Sequence, residues 1–204
     1  MPTLPALPPS AFVVACATPP HSKVLVLGGV DAWDIHPTVD MAQLDRMAKE
    51  SGADRAHRAY GFYSSDIAYV VTVDIGNPAQ DACQGPVAIR VTMRLTDRQI
   101  GVVGDMPTGS CRFTRIATHY QHHAEADEAL FQGYVLKVIA ALSEADPATL
   151  IAGSNDTPAH ITAAVNAVVK PVLADMDTNR GAARKAVDTP AEVEKLEAPC
   201  DDSL

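Results

Sequence analysis

The sequence predicts an α+β fold: a small antiparallel sheet packed against one long, histidine-bearing helix, with further helices toward the C-terminus. Three observations carry this. The first half holds runs rich in β-branched and aromatic residues, such as Asp66–Asp74 (DIAYVVTVD). Val87–Leu95 (VAIRVTMRL) then alternates apolar residues with Arg90, Thr92 and Arg94, the mark of a half-buried strand. Past about residue 110 the apolar period lengthens from two to between three and four. Strands followed by long helices argue α+β.

Taken in order, residues 1–22 are proline-rich and read as extended. Within them, Ala11–Cys16 looks like the end of a signal sequence, and Val13-Val14-Ala15-Cys16 has the look of a lipoprotein cleavage box. That makes Cys16 a candidate lipid anchor. However, residues 1–10 contain no Lys or Arg, and Pro5, Pro8 and Pro9 break any helix. The segment is therefore an extended arm or a signal remnant, and residues 23–200 are expected to form a single α+β domain. Lys23–Leu27 reads as a strand ended by Gly28-Gly29. Met41, Leu44, Met47 and Ala48 recur at helical spacing between Val39 and Lys49, with Gly52 as a stop. Gln99–Val103 is expected to pair antiparallel with Val87–Leu95 through the turn Thr96-Asp97-Arg98. Ser110 can N-cap a helix to about Ser143, with Ile116, Leu130, Tyr134, Val135, Val138, Ile139 and Leu142 as its apolar stripe. Asp146-Pro147 ends it. Two further helices span about Pro158–Asp175 and Asp177–Leu196, with Pro171 and Pro190 marking breaks or starts.

The totals narrow the function. The chain has 204 residues, a formal net charge of −9 and a pI near 5.1, which argues against nucleic acid as a partner. No apolar run approaches the ~20 residues that span a bilayer, so no transmembrane helix is expected. The four cysteines, Cys16, Cys83, Cys111 and Cys200, contain no C-x-x-C pair. Cys83 and Cys111 flank the expected hairpin, a common place for a disulfide. The alternative is two unrelated buried thiols.

The candidate chemistry lies in Thr118-His119-Tyr120-Gln121-His122-His123. On a helix, His119 and His123 share one face, one turn apart, which is the spacing two histidines need to hold one metal ion. The frame is that of H-E-x-x-H, with Tyr120 where the catalytic glutamate would stand. Asp127 continues the same face and is the candidate third ligand. Glu144, Asp146 and His160 are alternatives. His122 points about 100° away from His123 and cannot share the site. The competing reading is a solvated acidic helix face, since Glu125, Asp127 and Glu128 follow closely.

Several pieces in sequence resemble one known group. Met106-Pro107-Thr108-Gly109-Ser110-Cys111-Arg112-Phe113 matches an "LPPGSC"-like loop ahead of an H-E-x-x-H helix. Cys83 stands where an earlier cysteine precedes the hairpin. Tyr69–Val73 matches an aromatic-rich strand. Val187-Asp188-Thr189-Pro190-Ala191-Glu192 matches a "vDT-x-E" segment, and Cys200 a late cysteine. Across roughly residues 23–200 the chain resembles bacterial exported proteins with a zincin-like domain of unknown function.

The resemblance implies an extracytoplasmic, zincin-like domain with a Cys83–Cys111 bridge and His119 and His123 on a zinc ion. It does not supply a base, because Tyr120 is a poor one at neutral pH. The expected function is a degenerate zincin, possessing a metal site but weak or no peptidase activity. The alternatives are an active peptidase with a base relocated to Glu125 or Glu128, and a non-catalytic envelope module that binds a protein or peptide.

Overall fold

The computed structural model describes residues 23–40, 42, 44, 46, 60–75, 87–103, 106–146, 150 and 158–200. Strands β1 (Lys23–Val30), β2 (Asp34–Val39), β3 (Gly61–Ile75) and β4 (Val87–Val103) come first. Helices α1 (Cys111–Glu144), α2 (Pro158–Val187) and α3 (Pro190–Glu197) follow. The architecture is α+β, as the sequence predicts. Of the expected helix over Val39–Lys49, residues 42, 44 and 46 are helical, whereas Val39 ends β2 and Asp40 is not helical.

Strand β4 organises the sheet, pairing with β1, β2 and β3. The expected hairpin is not there. Val87–Leu95 and Gln99–Val103 are one strand of 17 residues, and the antiparallel sheet is corrected with it. Strand β2, which sequence reasoning missed, runs parallel to β4, with Asp34 opposite Gln99 and Ile35 opposite Ile100. The reason is visible in the apolar phase. Ile89, Val91, Met93 and Leu95 are buried at odd positions, whereas Arg98, Ile100 and Val102 are buried at even ones. Asp97 makes the change, taking left-handed backbone at φ 51°. A turn-like Thr96-Asp97-Arg98 is thus a one-residue slip inside a continuing strand, which re-aims every later side chain. Arg90 and Arg94 stay exposed, as the alternation requires. Gly28 does not end β1 either. An added Cβ there would lie 2.9 Å from Val135 Cγ2, so the residue permits close approach to a helix.

The chain divides into two compact units. One comprises Met1–Gly28, Tyr69–Met93 and Tyr134–Asp175, and the other Gly29–Ala68, Arg94–Gly133 and Met176–Leu204. The described core of the first includes Ile89, Val91, Met93, Val138, Leu142, Ile161, Val165 and Val169. There the Tyr134 hydroxyl donates to Asp175 Oδ2 at 2.5 Å, and Lys137 Nζ lies 3.3 Å from the same oxygen. In the second unit, Ile100 and Val102 of β4 pack with Tyr63 of β3 and with Phe113, Ile116, Ala117 and Ala124 of α1.

Helix α1 starts where expected, with Ser110 Oγ accepting from Phe113 N at 3.2 Å. The two expected later helices are instead joined as α2, with Pro171 inside it. Pro171 is exposed, while Ile161, Val165, Val169 and Met176 continue a buried stripe past it. That burial offsets the backbone hydrogen bond a mid-helix proline removes. Pro190 does start a helix, at the first position of α3. The disulfide is also different. Cys111 bonds to Cys200, with Cα atoms 5.8 Å apart, so Cys111 is not available to Cys83. Cys16 and Cys83 lie outside the described residues. Among the described residues, no helix is long and apolar enough to cross a membrane.

Asp97 yields a direct test. Left-handed backbone costs a β-branched residue roughly 1–2 kcal/mol, whereas glycine adopts it freely. Asp97→Val is expected to lower the denaturant midpoint, and Asp97→Gly to leave it near wild type. Equal midpoints for the two variants would refute the slip.

Candidate metal centre

Two histidines of α1 meet the segment that follows α2. His119 and His123 are each nearly buried, at 5% and 6% exposure, and their Nε2 atoms lie 3.1 Å apart. Asp188, one residue past the end of α2, brings Oδ1 to 3.0 Å from His123 Nε2 and 3.2 Å from His119 Nε2. Three electron-rich atoms therefore form a triangle with sides of 3.0–3.2 Å. Ligands held at about 2.0–2.1 Å around one tetrahedral ion would lie roughly 3.3 Å apart. Asp188 is about half exposed, which leaves one side of the triangle open to solvent.

Electrostatics favour the neutral, lone-pair-bearing form of both histidines. Burial pushes each below the ordinary histidine value, against the pull of the Asp188 carboxylate. His119 Nδ1 is buried without a hydrogen-bond partner, and Glu192 Oε2 stands 4.0 Å from it. The same Glu192 oxygen is 3.9 Å from Nδ1 of His122, which is 46% exposed and faces outward as its helical phase predicts. The other Glu192 oxygen accepts from Lys195 at 2.5 Å.

Tyr120 is built into the wall. Its ring stacks on His123 at 5.5 Å between centroids and meets His119 edge-on at 5.1 Å. A Cβ at Gly61 would lie 2.6 Å from the Tyr120 ring, so the glycine is what makes room for the ring beside β3. Burial, and then the Asp188 charge, push the phenol above its usual range, so it stays protonated. In this environment it offers no base at neutral pH.

Asp127 does not join the histidines. Both its oxygens are held by Arg180, with Nε to Oδ1 at 2.8 Å and Nη2 to Oδ2 at 2.9 Å. Ser65 Oγ donates to Oδ2 at 2.5 Å, and Tyr63 donates at 3.2 Å. The same-face rule placed it correctly on the helix but could not reveal an arginine coming from 53 residues away. Glu144, Asp146 and His160 are likewise outside the cluster; among the described residues, His119, His123 and Asp188 alone form a group of metal-ligand type. The two candidate relocated bases are placed elsewhere. Glu128 Oε2 lies 3.1 Å from the buried Arg98 guanidinium, and Glu125 is exposed. Sequence reasoning missed Asp188 as a ligand, although it lies in the Val187–Glu192 segment already singled out. Its signal was an acid at a helix junction directly ahead of Thr-Pro-x-Glu.

The Asp127–Arg180 pair sets an acid limit on stability. Desolvation alone would raise the Asp127 carboxyl, but the hydrogen bonds from Arg180 and Ser65 bring it below its ordinary value. A depressed carboxyl contributes fully above its unfolded value of ~3.9, and the contribution is lost as pH falls through the lower folded value. Asp127→Asn is expected to cost roughly 3–5 kcal/mol at neutral pH, since it strands a buried guanidinium. It should also flatten the acid limb of the stability–pH curve. An unchanged urea midpoint at pH 7 would contradict this.

No protein-family model, curated protein or solved structure matches the chain, so what these residues do follows from their chemistry alone.

Proposed function

We propose that the chain is a degenerate, zincin-like metal-binding protein in which His119, His123 and Asp188 hold a divalent cation, with zinc favoured by the donor set. One observation carries this: two neutral imidazole nitrogens and a carboxylate oxygen converge at 3.0–3.2 Å from one another. Two facing lone pairs beside an anion repel unless a cation or a shared proton bridges them. Two imidazoles and a carboxylate suit zinc, and three protein ligands leave a fourth position for water or a ligand.

Bound metal would act as a Lewis acid at that open position. Peptide hydrolysis also calls for a base beside the metal-bound water. Tyr120 stays protonated, Asp188 is a ligand, and Glu192 lies on the far side of His119. The reading is therefore a metal binder with weak or no peptidase activity, as the Tyr120 substitution suggests. Localisation outside the cytoplasm is part of the same proposal, supported by the Cys111–Cys200 disulfide, a bond that persists in oxidising compartments.

Zinc titration against a competing chelator tests the site. Wild type should bind one equivalent. His119→Ala and Asp188→Ala should lose more than the ~10–100-fold that outer-shell changes cost, while Glu144→Ala should bind as wild type. Asp188→Ala binding as tightly as wild type, or a wild type that ignores zinc, would sink the assignment. For activity, wild type should cleave generic peptides no faster than His119→Ala. Tyr120→Glu should raise cleavage toward the ~10²–10⁴-fold that a general base contributes. Strong zinc-dependent cleavage by the unmodified chain would overturn the degenerate reading.

A further inference from the structure

We propose that Glu192 is a positioning residue for this metal centre, kept behind His119 by the Cys111–Cys200 disulfide, so that breaking the disulfide weakens metal binding. The inference rests on the metal reading above and adds an outer partner and a redox dependence to it.

The first observation is the unpartnered nitrogen. A metal-ligating imidazole almost always gives its second N–H to an acceptor, which fixes ring orientation and raises ligand basicity. His119 Nδ1 is buried and has none, and the nearest acid is Glu192, 4.0 Å away. A hydrogen bond between them calls for this gap to close by about 1 Å.

The second observation is where the Glu192 side chain goes. Thr189-Pro190-Ala191-Glu192 has the form of a capping box, and Thr189 Oγ1 does accept from Glu192 N at 3.2 Å. In the full motif the glutamate returns to the Thr189 N–H. Here that N–H donates to Val187 O at 2.8 Å. The Glu192 carboxylate faces His119 and His122 instead.

The third observation is how weakly α3 is otherwise held. It has eight residues and none is buried. Leu196 packs partly against the core cluster, and Arg115 Nη1 donates to Ala198 O at 2.6 Å. The covalent tie is Cys200 to Cys111, the first residue of the helix that carries both histidines. The bond thus joins the helix of the ligands to the helix of their outer partner. A dithiol reductant would break it with two electrons and two protons, yielding the Cys111 and Cys200 thiols and the reductant's own disulfide. Helix α3 would then be held by the Leu196 packing and the Arg115 hydrogen bond without a covalent tie, and Glu192 would be less firmly fixed against His119.

Zinc affinity, measured by chelator competition on the full chain, tests the proposal. Glu192→Ala should weaken zinc binding ~10–100-fold and leave the melting midpoint of the metal-free protein unchanged. Glu192→Gln should recover most of the loss, because an amide oxygen still accepts from Nδ1. The double variant Cys111→Ser/Cys200→Ser should lose a similar factor, and adding Glu192→Ala to it should cost little more, since the same contact is already gone. If the double variant does not fold, stepwise reduction of wild type with a phosphine, with thiols counted, should show the same fall in affinity while far-ultraviolet ellipticity is kept. Wild-type affinity in Glu192→Ala, fully additive losses, or an affinity indifferent to reduction would each overturn the proposal and leave the metal site standing. Failure of oxidised wild type to bind zinc overturns the metal reading itself, and this inference with it.

Discussion

The pair between Asp127 and Arg180 is the interaction on which the candidate site depends. Both side chains are removed from solvent, at 2% and 13% exposure. Desolvating two charges is costly, and only full satisfaction of their hydrogen bonds makes it tolerable. Here the satisfaction is thorough: a two-pronged contact, a serine hydroxyl, a tyrosine hydroxyl and the Ser65 carbonyl. The pair sits one helical turn beyond His123 on α1 and two turns before Asp188 on the other chain segment. It therefore fixes the end of α2 at the height where Asp188 can reach the histidines. The carboxylate that spacing nominated as a ligand is the one that places the ligand.

A second buried cation extends this framework. Arg98 is 4% exposed and donates to the Tyr63 hydroxyl, the Asp31 carbonyl and the Ala124 carbonyl, while its plane lies 4.7 Å from the centre of the Trp33 ring. Tyr63 in turn donates to Asp127. One connected polar network thus runs from β4 through β3 to α1 and α2. Its members are mutually satisfied, which is the condition under which buried polar groups specify a single arrangement rather than weaken it.

What was legible in the sequence was local. The Ser110 cap, the eclipsed His119 and His123, the outward turn of His122 and the alternation from Ile89 to Leu95 all follow from periods of 3.6 and 2, which a few neighbouring residues fix. What was not legible depended on distant partners. Asp188 reaches His123 across 65 residues, and Cys200 reaches Cys111 across 89. Helical phase cannot tell an aspartate that meets a metal from one that meets an arginine, which is why Asp127 was misplaced. Local turn chemistry was ambiguous in the same way. Asp97 tolerates left-handed backbone whether the chain reverses or merely slips, and only the continuation of β4 to Val103 alongside β2 distinguishes the two.

That slip in β4 has a consequence for how the strand can change. Buried side chains before Asp97 stand at odd positions, whereas after it Arg98, Ile100 and Val102 are buried at even ones and Val103 packs beside Leu44. What the strand must keep is parity. Removing Asp97 alone would straighten the backbone and restore one unbroken alternation. Arg98 would then take the odd position that Asp97 holds, so that Arg98, Ile100 and Val102 would stay on the same face as Ile89 to Leu95. Loss or gain of a single residue elsewhere in Val87–Val103 would exchange the two faces on one side of the change. A two-residue change would shift the strand along its neighbours and leave its faces intact. Away from Asp97, a change of length in this strand keeps its faces only when it comes in pairs.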